Sequence, residues 1–153
     1  MKSHAKTLTT YETCCMKRPK HILPIHTPIA ENWVDENGIV CSISNDRENT
    51  IEAFMAHFDT LDRALQHKKA PFLVDPTLAG PLSVKDRKIL HERLLKTMSC
   101  GAFISKNAIV NLGVNIFFKM RKSPIPIKMF KDEAKAREWL AETMKELESA
   151  RTN

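Results

Sequence analysis

A chain of 153 residues, 42% hydrophobic and 27% charged, has the size and balance of one ordinary globular domain with a single substantial core. No apolar run approaches the roughly 18 residues that a membrane helix needs, so no membrane span is expected. The formal net charge of +6 is unevenly placed: residues 1–28 hold Lys2, Lys6, Lys17, Arg18 and Lys20 against Glu12, which is +4, and the remainder carries +2.

The basic stripe on a folded face that nucleic acid requires is therefore missing. The cluster Lys119, Arg121, Lys122 and Lys128 reads as a solvated helix end complementing the dipole, and no nucleic-acid partner is expected. Residues 1–28 read as a basic, loosely ordered extension, and residues 29–150 as the folded domain. The four cysteines, Cys14, Cys15, Cys41 and Cys100, have neither CxxC spacing nor the density of a disulfide framework, which points to a reducing cytoplasm. Cys41 and Cys100 lie in apolar strand patterns, where a free thiol acts as a small hydrophobe.

In chain order, residues 29–44 (IAENWVDENGIVCSIS) give two strand-like halves around Asn37-Gly38, the dipeptide that supplies positive φ angles to a tight hairpin. Ile39, Cys41 and Ile43 alternate with Val40, Ser42 and Ser44, a strand with one face inward. Thr50 then caps a helix in which Ile51, Phe54, Met55, Phe58, Leu61 and Leu65 recur at three and four. The run PFLVD at 71–75 reads as a strand buried on both faces. Pro76, Gly80 and Pro81 break it, and Ser83 with Asp86 three places on starts a helix through Leu90, Leu94 and Met98. A strand at 100–104 and an apolar helix from about 107 to 120 follow. A strand at 126–130 leads directly into a last helix with Ala136, Trp139, Leu140 and Leu147. Alternating strands and helices after a hairpin make an α/β domain with a mixed β-sheet. Pro124 and Pro126 place the last strand at an edge, or delay its start.

The terminal stretch IPIKMFKDEAKAREWL, with Ile125, Pro126, Ile127, Phe130, Asp132, Glu133, Ala136, Trp139 and Leu140 in place, resembles the SpoIIAA-like, STAS-related family of small bacterial domains. The resemblance covers about residues 29–148. It implies a SpoIIAA/STAS-like fold and a non-enzymatic binding module, in a group that includes anti-sigma-factor antagonists and shares its fold loosely with lipid-carrying Sec14-like domains. In STAS antagonists a serine opening a helix after an Asp-Ser-Ser-type turn is phosphorylated. Here Ser83 falls in that place, with Leu82 where the family has aspartate. Ser83 is thus a candidate phosphorylation site, although a serine there is also an ordinary helix cap.

No nucleophile, base and orienting group can be assembled into a catalytic set, so no enzyme activity and no cofactor are expected. His57, His67 and His91 are assigned to polar helix sides, and His4, His21 and His26 with Cys14 and Cys15 match no zinc spacing, so no metal is expected. Asp75 ends a central strand, where open α/β sheets place binding residues. The loop from Asp75 through Thr77 to Ser83 is one candidate binding surface. The other is the apolar helix, where Asn107, Asn111 and Asn115 run with Lys119 in one polar stripe. A helix so apolar elsewhere needs further cover, from a homodimer or protein partner, or around an apolar ligand. The leading expectation is a regulatory protein-binding module; the alternative is a small carrier or sensor of a lipid-like molecule.

Overall fold

The computed structural model describes residues 16–45, 50–76, 83–106 and 123–153. The apolar helix expected over 107–120, with Asn107, Asn111 and Asn115, lies outside these residues, as does Thr77. Six strands form one sheet in sequence order: β1 (Ile25–His26), β2 (Ala30–Val34), β3 (Val40–Ser44), β4 (Ala70–Asp75), β5 (Met98–Ile104) and β6 (Ile127–Phe130). β1, β2 and β3 pair antiparallel, and each later pairing is parallel. Among the described residues the helices are α1 (Ile51–Ala64), α2 (Val84–Thr97) and α3 (Glu133–Thr152). This is the mixed α/β sheet, hairpin first and βα alternation after, that the sequence pattern implies. Among the described residues no helix is long and apolar enough to cross a membrane.

The hairpin turns more widely than Asn37-Gly38 alone implies. Val34 pairs with Val40, and Gly38 takes φ +78° while Asn37 stays at negative φ. That is the three-residue loop in which one left-handed residue follows an ordinary turn. Asp35 holds it together: its Oδ1 accepts from the backbone of Asn37 and of Ile39, each at 2.9 Å. Its other oxygen, Oδ2, accepts from Arg137 Nη1 of α3 at 2.7 Å, and Arg137 Nε donates to Glu133 at 2.8 Å. One carboxylate therefore closes the turn and fastens the last helix to it.

Both faces of β3 are covered, not one as its alternation implied. On one side Trp33, Cys41, Leu73, Cys100 and Ala102 pack beneath Ala136 and Leu140 of α3. On the other, Val40, Phe72 and Met98 pack against Leu61 of α1, while Ala30 meets Phe54 and Phe58. Parallel strands flanked by crossover helices need this two-sided burial. α1 is capped by Thr50, which accepts from Ala53 N at 3.1 Å. α3 is capped by Asp132, which accepts from Lys135 N at 2.8 Å. α2 runs straight into β5 at Thr97–Met98, so Met98, expected on the helix, begins the strand. β6 starts only after Pro126 and is an edge strand, which answers both demands of its prolines.

Part of the segment expected to be a loose extension packs onto the domain. Met16 is 2% exposed in the cluster under α3, Arg18 Nε lies 2.9 Å from Glu31, and Ile25 pairs with Asn32.

Candidate functional site

Strand parity and helix period together open a cavity of about 190 Å³ between α1, α2 and the sheet. Along α1, Phe54, His57 and Phe58 lie at three- and four-residue spacing and reach one side of it, and Leu90 and Leu94 of α2 reach another. Its floor is Ser42 of β3 with Phe72 and Val74 of β4 and Phe103 of β5. Serine beside three large side chains leaves volume that a valine or leucine would fill, which is the local reason for a gap in an otherwise close-packed layer. The site lies toward the carboxyl ends of the parallel strands, where open α/β sheets bind ligands.

One polar group stands out in this wall. His57, assigned from the sequence to a polar helix side, is buried, at 6% exposure. The correction has a simple cause. Positions 54, 57, 58 and 61 share one helix face, and tertiary packing overrides the polarity of the residue type. Its Nδ1 lies 2.7 Å from Thr27 Oγ1. Thr27 is within 3.1 Å of Ala30 O and 3.4 Å of Asn32 Nδ2. Asn32 is fully buried, donates to Ile25 O at 3.0 Å, and leaves its Oδ1 without a partner. His57 Nε2 makes no hydrogen bond among the described residues, yet it is not among the atoms sealed from open space. His57 is one of the residues that line the cavity. Burial lowers the His57 pKa from 6.5 to about 4, so the imidazole is neutral at physiological pH. His67, also assigned to a polar helix side, instead lies past the end of α1 at φ +60°, exposed and paired with Asp62 at 2.6 Å.

Asp75 and Ser83, expected to form a site, are placed elsewhere. Asp75 is 2% exposed and shares strand parity with Leu73, on the α3 side of β4. Its carbonyl accepts from Ser44 Oγ at 3.0 Å. Ser83 is exposed and caps α2, accepting from Asp86 N at 3.0 Å. Neither lines the cavity. Cys41 and Cys100 are free and buried. Burial pushes the Cys41 thiol up to about 11 against the opposing pull of Arg137, and burial also raises Cys100. Both are packed, unreactive thiols. No cluster of three metal-capable side chains occurs among the described residues.

Among solved structures the chain is similar to an uncharacterized protein of the DUF3478 family with a SpoIIAA-like fold from Shewanella loihica PV-4. The identity is 19% and the TM-score 0.47, over 82% of this chain and 98% of that one. No curated protein matches the sequence. A family model covers residues 32–144, from the buried Asn32 to the helix that covers the sheet's far face, and the chain belongs to that family, described as "Domain of unknown function (DUF7793)".

Proposed function

We propose that the chain is a non-enzymatic binding module that holds a small apolar molecule between α1, α2 and the sheet. The observation that carries this reading is the cavity of about 190 Å³ with Phe54, Phe58, Phe72 and Phe103 in its walls. Concave, mostly apolar space with a few fixed polar groups is the usual form of a small-molecule site. This favours the ligand-carrying alternative over the protein-binding expectation. The free, buried thiols of Cys41 and Cys100 fit a cytoplasmic setting.

The test is thermal unfolding with toluene as probe. A molecule that binds only the folded state raises the midpoint as its concentration rises. Wild type is expected to gain stability from toluene, and Ser42→Leu, which fills the floor, is expected to lose that response. A wild type indifferent to toluene refutes the reading.

A regulatory, protein-binding role has one observation in its favour: Ser83 is the exposed N-cap of a fourteen-residue helix, where a phosphate would meet unpaired backbone N–H groups. Ser83→Asp tests it by capture of a partner from lysate. A partner lost with unchanged melting supports the switch; binding equal to wild type removes it.

A further inference from the structure

His57 lines the cavity and its Nε2 has no hydrogen-bond partner among the described residues, and its surroundings specify what it can pair with. Thr27 Oγ1 has one proton and two acceptors within reach, Ala30 O at 3.1 Å and His57 Nδ1 at 2.7 Å. If the proton goes to Ala30 O, Nδ1 is the donor and Nε2 presents a lone pair. If it goes to Nδ1, Nε2 presents an N–H. A hydroxyl answers either arrangement, because it both donates and accepts. Ser42, 4% exposed and with a side chain that makes no hydrogen bond among the described residues, adds a hydroxyl to the floor.

Charge and size narrow the class further. No Asp, Glu, Lys or Arg is among the described lining residues, so an ionised ligand group would be taken out of water without a counter-charge, which is costly. An apolar protein cavity of about 150 Å³ holds benzene. One of about 190 Å³ therefore takes one ring with a small substituent. Four phenylalanines in the walls suit a flat aromatic body through edge and offset contacts, as the 5.0 Å edge-on approach of the His57 and Phe58 rings illustrates.

We infer that the ligand is a neutral, single-ring molecule bearing one hydroxyl group, of the phenol class, whose hydroxyl pairs with Nε2 of His57. The inference rests on the reading of this cavity as a ligand site. Ring contacts supply the larger part of the affinity, and the hydrogen bond supplies the preference, because a ligand without a hydroxyl leaves Nε2 unpaired in an apolar wall.

The experiment compares phenol, toluene and benzoate by calorimetric titration of wild type and His57→Leu. Toluene is expected to bind both proteins, and benzoate neither. The ratio of phenol to toluene affinity is expected to fall about tenfold in His57→Leu, the factor that one buried hydrogen bond is worth. In case that variant folds poorly, wild type labelled with ¹⁵N on its histidines gives an independent reading: phenol should move the Nε2 resonance of His57 and toluene should leave it in place. An unchanged ratio, an unmoved Nε2 resonance at phenol saturation, or tight binding of benzoate overturns the inference while leaving the cavity reading intact. Failure of toluene itself to bind wild type overturns both.

Discussion

His57 makes the protein sensitive to acid in a way that can be isolated. Replace it with glutamine, which keeps a polar partner for Thr27 and removes the titration. In wild type the native imidazole resists its proton down to about pH 4, because it is buried among apolar side chains, whereas the unfolded one takes it near 6.5. Between those values the unfolded chain binds more protons, so stability is fully present above pH 6.5 and falls as pH drops toward 4. At 1.36 kcal/mol per pKa unit the loss is about 2 kcal/mol by pH 5 and about 3 kcal/mol at pH 4. Other groups titrate too, but equally in both proteins. The assay is urea unfolding from pH 8 to pH 4, followed by the fluorescence of Trp33, which is 1% exposed. The stability of wild type minus that of His57→Gln should drop by about 2 kcal/mol from pH 8 to pH 5. A difference constant over that range would mean that the ring is solvated or paired in the native state, and the account of its burial would be wrong.

Leu140→Ala, at a fully buried position of α3 against the sheet, should cost about 3 kcal/mol in chemical denaturation; half-buried Trp139, its ring 5.6 Å from that of Phe130 at a 49° tilt, should cost less when truncated. Asp35→Ala removes the acceptor of two turn N–H groups and the partner of Arg137, and is expected to lower stability by about 2 kcal/mol. Glu133→Ala, which deletes only a partly exposed i,i+4 contact to Arg137, should stay within about 0.5 kcal/mol of wild type. Ser83→Ala should cost about 1 kcal/mol as a lost cap, and Ser83→Asp should be nearly neutral in the same melt.

The element order was readable because its signals are local. Thr50 and Asp132 cap the helices they precede, and Pro126 marks the start of β6. The cavity was not readable, because it is made by parity and by crossing. Asp75 ends the right kind of strand, yet it shares a face with Leu73, and nothing local says whether α3 or α1 covers that face. His57 carried a usable signal in its three-residue spacing from Phe54 and four-residue spacing to Leu61. A histidine's polarity masked it. Met16 was missed for another reason: its burial depends on packing in the cluster under α3, whose Ala136 and Leu140 lie far along the chain.

The Asp35–Arg137 pair joins residues 102 positions apart, which has a consequence for the order of events as the chain is made. Translation completes the hairpin early and α3 last among the described elements, so Trp33 and Cys41 wait without their cover while about a hundred residues are added at roughly 5–20 per second. Closing so long a loop must precede the contacts that reward it. During that interval of several seconds or more, one whole side of the sheet is open to chaperones or to a neighbouring nascent chain, and the docking of α3, with Arg137 reaching Asp35, ends the exposure.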